Sequence, residues 1–95
     1  MDTILITYKT RDAGAPRTKL VREILKYSST KLTDHTYVIQ TDDSPKEIFR
    51  TLSPFVDPQG SLYVMKALEC LGWGDGDANR WLATNLDGEV GGTLH

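Results

Sequence analysis

A single cysteine, Cys70, is all the thiol that 95 residues carry. That excludes an internal disulfide and a cysteine-based zinc site. No stretch approaches the ~20 apolar residues needed to cross a bilayer. The opening residues Met1-Asp2-Thr3-Ile4 lack the basic start and long apolar run of a secretory leader. The expectation is a cytoplasmic protein without a membrane partner. An excess of base is missing too: the net charge is −2, whereas nucleic-acid domains tend to be basic. No internal repeat and no second domain stand out.

What is present is ordinary for a globular domain, with 39% hydrophobic and 25% charged residues. A chain of this length buries roughly two-thirds of its unfolded surface and folds without staples. The charge is unevenly spread. Between Lys9 and Lys31 stand seven bases (Lys9, Arg11, Arg17, Lys19, Arg22, Lys26, Lys31) and two acids, a balance of +5. The remainder carries four bases against eleven acids, −7. Such polarity steers a charged partner or favours self-association. The plainer reading is a solvated helix face that happens to be basic.

Along the chain, Thr3-Ile4-Leu5-Ile6-Thr7-Tyr8 is β-branched and nearly continuously apolar, as in a central strand. Gly14 and Pro16 mark a turn into a helix. There Leu20, Val21, Ile24 and Leu25 form one stripe, with Lys19, Arg22 and Lys26 on other faces. The helix should fade near Tyr27. Two strands follow, joined by a tight turn at Asp34-His35. In the second, Tyr37 and Ile39 share one face and Val38 and Gln40 the other.

Ser44-Pro45-Lys46-Glu47 is a capping box with proline at the first helical position. Its apolar face is Ile48, Phe49 and Leu52. Pro54 ends or distorts that helix. After the turn Asp57-Pro58-Gln59-Gly60, a strand runs from Ser61 to Leu68. A glycine-rich loop holding Gly72, Trp73, Gly74 and Gly76 leads to a short helix over 77–86, capped by Asp77. Residues 87–95 read as a flexible tail.

This order, βαββαβ plus a short C-terminal helix, predicts an α+β fold. Specifically, it predicts a ferredoxin-like sandwich with two helices on one face of a four-stranded antiparallel sheet, in a single domain over 1–86. The other sheet face must be solvated, covered by the third helix, or covered by a second subunit. Tyr8, Tyr37, Tyr63 and Trp73 are the candidates for a dimer surface, since aromatic rings with a polar tip suit interfaces.

Several constellations carry no chemistry. Asp75-Gly76-Asp77 begins like a calcium loop, but Arg80 and Leu86 occupy the positions that need Gly and Glu. Gly72, Gly74 and Gly76 are misplaced for a dinucleotide fingerprint. Asp34, His35 and Cys70 form an acid, base and nucleophile set only if the fold brings them together. Otherwise His35 is a turn residue and Cys70 a small buried side chain. Trp73 and Trp81 stack on bases or, more simply, complete a small core beneath the last helix.

The runs Ile4-Leu5-Ile6-Thr7-Tyr8, Thr41-Asp42-Asp43-Ser44-Pro45, Leu52-Ser53-Pro54-Phe55-Val56-Asp57 and Leu62-Tyr63-Val64 resemble the CRISPR-associated Cas-two family of small ferredoxin-fold proteins. They resemble still more its stand-alone SinR-family relatives. Gly72-Trp73-Gly74 and Trp81-Leu82 add to the resemblance, which spans residues 3–86. It implies homodimers. In nuclease members it also implies an aspartate after the first strand, holding Mg²⁺. Here that position is Lys9, whose ammonium repels a cation; Asp12, three residues later in the loop, or another carboxylate would have to substitute.

The resulting expectation is a non-catalytic, homodimeric interaction module with no cofactor. It binds a protein or nucleic acid through Lys9, Arg11, Arg17, Lys19, Arg22 and Lys26. The alternatives are a Mg²⁺-dependent endonuclease using Asp12, or a toxin or regulator from a mobile element.

Overall fold

β1 (Asp2–Lys9) is the strand around which the sheet is built, in a computed structural model that describes residues 1–10 and 15–90. It pairs antiparallel with β3 (Thr36–Thr41) on one side and with β4 (Ser61–Ala67) on the other. β2 (Ser28–Thr33) adds to the far side of β3, so the strand order is β2-β3-β1-β4. The β2–β3 register slips between Lys31 and Thr33. Leu32 lies at that irregularity, in the manner of a bulge.

The pleat sorts β1 into two sets. Ile4, Ile6 and Tyr8 point to one face; Thr3, Leu5 and Thr7 point to the other. The first set meets Tyr37 and Ile39 of β3 and the helices α1 (Ala15–Ile24) and α2 (Pro45–Leu52). Leu20 and Ile24 of α1 and Ile48 and Leu52 of α2 are wholly buried there. Each contributes about 1.5–3 kcal/mol of transfer free energy.

The fully buried line on each helix is an i, i+4 pair, narrower than the expected stripe, with Val21 of α1 packed beside it but only partly buried. Leu25 lies beyond the end of α1, its N–H bonded to the Val21 carbonyl at 2.9 Å, and is exposed. Phe49 is also largely exposed. Two-turn and three-turn helices laid on a sheet need only one line of contact.

Local chemistry sets the ends of α2. The Ser44 hydroxyl accepts from the Glu47 N–H, and the Glu47 carboxylate accepts from the Ser44 N–H. A 3-10 turn over Ser53–Phe55, with Pro54 inside it, closes it.

Beyond β4 the chain departs from expectation. The segment read as a glycine loop and tail contains β5 (Glu69–Gly72) and β6 (Asp87–Val90), paired in parallel on either side of α3 (Gly76–Asn85). Residues 87–90 are therefore strand and not tail; 91–95 lie outside the described residues. Four-residue strands with two glycines carry almost no periodic signal, so only the contact between them reveals them. Asp75, not Asp77, caps α3, accepting from the Asp77 N–H at 3.1 Å. Among the described residues, no helix is long and apolar enough to cross a membrane.

Candidate interaction surface

The second sheet face is where the candidate surface forms. The registers place Leu5 between Val38 and Met65, and Thr7 between Thr36 and Tyr63. On the β2–β3 side, α3 covers this face. Val38, Ala78 and Leu82 are buried, and the Trp81 indole N–H donates to the Ser28 hydroxyl at 3.2 Å. Thr3 ties the helix end to the sheet: its hydroxyl lies 2.7 Å from Gln40 Oε1 and 3.2 Å from the Asn85 carbonyl.

On the β4 side the cover stops. Tyr63 is 62% exposed and Met65 50%, while Leu5 is half-buried. Further along the chain Leu68 and Leu71 are exposed as well, and Trp73, which is 82% exposed, lies beside Leu32 and Thr33 of β2, the edge strand opposite β4. The physical origin lies in β4 itself. Leu62 and Val64 turn toward the helices, so Tyr63 and Met65 must turn away.

Two expected surface tyrosines are elsewhere. Tyr8 and Tyr37 are buried in the helix-side core, 3% and 7% exposed. Their rings are nearly parallel with centroids 6.5 Å apart, and His35 meets Tyr8 edge-on at 5.6 Å. Parity explains the correction: each occupies the same pleat face as Ile6 and Ile39. Burial, with Tyr8 beside it, raises the Tyr37 phenol above its ordinary pKa; Lys31 and Arg17 pull the other way. Burial, then the charge of Asp43, does the same to Tyr27, whose hydroxyl donates to Asp43 at 3.3 Å.

The expected basic residues gather only in part. Arg17 and Arg22, with Thr18, Val21 and Leu25, line an open groove of about 370 Å³ on α1. Lys19 is exposed on the same helix. Lys26 lies in the turn after it, bonded to Glu23 at 2.9 Å. Lys9 is exposed at the end of β1, opposite Ser61, and is not part of that groove. Arg11 and Asp12 lie outside the described residues. No three His, Cys, Asp or Glu side chains converge as a metal site among the described residues.

Cys70 is half-exposed rather than buried, and it lines a cavity of about 210 Å³ with Leu32, Ala78 and Leu82. Trp73 also lines that cavity and is 82% exposed, so it does not complete a core. Sequence reasoning missed Met65, Leu68 and Leu71 as surface residues. The alternation of Tyr63-Val64-Met65 was the available signal for Met65. Comparison of the chain with protein-family models, with curated proteins and with solved structures finds no match.

Proposed function

We propose that this chain is a non-catalytic interaction module on a ferredoxin-like frame. It resembles the Cas-two group, pairs as a homodimer, and binds a protein or nucleic acid through the dimer surface. The strand order β2-β3-β1-β4, with all neighbours antiparallel and α1 and α2 on one face, supports the frame.

The observation that carries the function is the exposed pair Tyr63 and Met65 on the uncovered β4 side of the sheet, with further exposed apolar side chains at Leu68, Leu71 and Trp73. Isolated exposed apolar residues are normal on a monomer, but neighbouring apolar side chains on a sheet face left without cover mark an interaction site. Tyrosine and tryptophan add rigid contact area at low entropic cost, and methionine adapts to a partner's shape. Lys9 supports the non-catalytic part: an exposed ammonium ends β1 where the resemblance implies a metal-binding aspartate. Arg17, Lys19 and Arg22 supply positive charge for an acidic or phosphate-bearing partner.

Light scattering at micromolar concentration is the test. The expected mass is twice the 10.6 kDa of one chain. A mass of one chain removes the homodimer. RNA and DNA incubated with the protein and Mg²⁺ or Mn²⁺ should remain intact. Metal-dependent cleavage that disappears in Asp12→Ala would overturn the non-catalytic assignment.

A further inference from the structure

We propose that α1 carries a docking lane for a short acidic amphipathic helix of another protein, with Val21 and Leu25 as its floor and Arg17 and Arg22 as its two borders. This rests on the interaction-module reading above and adds a second contact, on the side of the sheet opposite Tyr63 and Met65.

Helix geometry builds the lane. Successive residues of an α-helix are turned by about 100°. Counted from Arg17, Val21 stands at about 40°, Leu25 at about 80°, Thr18 at about 100° and Arg22 at about 140°. Leu25 keeps that phase past the end of α1, because its N–H still bonds the Val21 carbonyl at 2.9 Å. The wholly buried Leu20 and Ile24 fall at about 300° and about 340°, so the lane runs alongside the core. Arg17, Thr18, Val21, Arg22 and Leu25 line one continuous groove of about 370 Å³.

The floor is apolar and wet. Leu25 is 60% exposed and Val21 only partly buried. As an i, i+4 pair they form a short ridge that forgoes its burial free energy in water. The borders are uncompensated cations. Neither Arg17 nor Arg22 forms an ion pair among the described residues. Glu23, the acid of α1, stands at about 240°, on the other side of the helix, where it holds Lys26 at 2.9 Å.

That pattern selects the occupant. Cations on both sides of an apolar line are matched by an apolar line between two rows of carboxylates. An amphipathic helix presents that face; a strand sets the residues of one face in single file. The arginine fork suits a carboxylate. From Arg17 to Leu25 the lane runs about 12 Å, two turns of a partner helix. A nucleic-acid backbone would satisfy the arginines and leave Val21 and Leu25 in water. A second copy of this chain does not fit either. Phe49, the exposed apolar residue of α2, stands between Lys46 and Arg50 in sequence, and Asp77 of α3 is bonded to Arg80. α1 against α1 would oppose arginine to arginine.

The test titrates the full chain into a fluorescein-labelled peptide of about fifteen residues and reads anisotropy. The peptide has leucine at every third or fourth position and glutamate on both sides of that line. Two control peptides replace the leucines by serine or the glutamates by glutamine, and a labelled oligouridylate of equal charge stands for nucleic acid. The protein variants are Leu25→Ser and Arg22→Glu. Both side chains are exposed, so neither change enters the core, and circular dichroism checks the fold. The expected result is saturable binding of the glutamate–leucine peptide, weakened at least about fivefold by Leu25→Ser and at least about tenfold by Arg22→Glu. Each control peptide should bind at least about fivefold more weakly, and added salt should weaken binding.

A serine peptide bound as tightly as the leucine peptide reduces the lane to charge alone and overturns the inference. So does peptide binding that both variants leave unchanged, and so does its absence at millimolar protein. An oligouridylate that binds more tightly than the peptide, and loses that binding in Arg22→Glu, overturns it in favour of a nucleic-acid partner. These outcomes leave the light-scattering mass, and with it the homodimer, to stand separately. A chain that binds neither probe and scatters as a monomer sinks the parent reading as well.

Discussion

Removing the Tyr8 hydroxyl should stabilise this protein. Tyr8 is 3% exposed, and its Oη is buried with no hydrogen-bond partner among the described residues. A buried hydroxyl without a partner costs about 1–3 kcal/mol relative to its hydrated state in the unfolded chain. Tyr8→Phe deletes only that atom. The ring stays against Tyr37 and edge-on to His35, so the aromatic contacts are retained. The expected gain is about 1 kcal/mol or more, which for a domain of this size raises Tm by about 4–8 °C per kcal/mol.

Tyr8→Ala at the same position should do the reverse. It removes the ring from a cluster that includes Ile6 and Tyr37 and should cost about 3–5 kcal/mol. Urea unfolding followed by circular dichroism reads both, with unchanged slope as the check that the unfolded state is the same. All samples must be at one protein concentration, because the stability of any protein that self-associates depends on it. A Tyr8→Phe protein less stable than wild type by 1 kcal/mol or more refutes the reasoning, since the hydroxyl would then be making a favourable bond.

Two further outcomes follow from the same core. Tyr27 and Tyr37 have phenols raised above the ordinary value of 10, each first by burial, so both hold their protons longer in the folded chain. Their contribution to stability is full below pH 10 and is lost as pH rises through the raised folded values. Stability should therefore decline above pH 10, and Tyr27→Phe should flatten that decline; an ultraviolet titration in which all four tyrosines ionise together at 10 contradicts this. Gly60→Ala should cost about 1–3 kcal/mol, because a Cβ there would overlap the Lys9 carbonyl oxygen and press on Val56 Cγ1 at 3.1 Å. A urea midpoint equal to wild type would show that the start of β4 can move away from the end of β1.

The sequence by itself determined the elements whose signals are local. The Ser44–Glu47 box needs only four residues to specify where α2 begins, and both of its hydrogen bonds form. The alternation in β3 placed Tyr37 with Ile39 and opposed them to Val38, as observed. Proline at the head of α1 and α2 and the turn at Asp34-His35 are short-range effects of the same kind. Period alone, however, states only that a strand has two faces.

Which face takes the helices is a contact between residues far apart in the chain, and it decided the surface. Tyr8 and Tyr37 share a pleat face with Ile6 and Ile39, under α1 and α2, so two good interface residues became core. α3 covers Val38 but stops short of Tyr63 and Met65, a matter of where the chain returns after β4. β5 and β6 exist because each supplies the other's hydrogen bonds across seventeen intervening positions of register, Glu69 to Asp87. Local propensity is set by neighbours along the backbone. Coverage of a sheet face is set by the path of the whole chain, and only the tertiary structure records it.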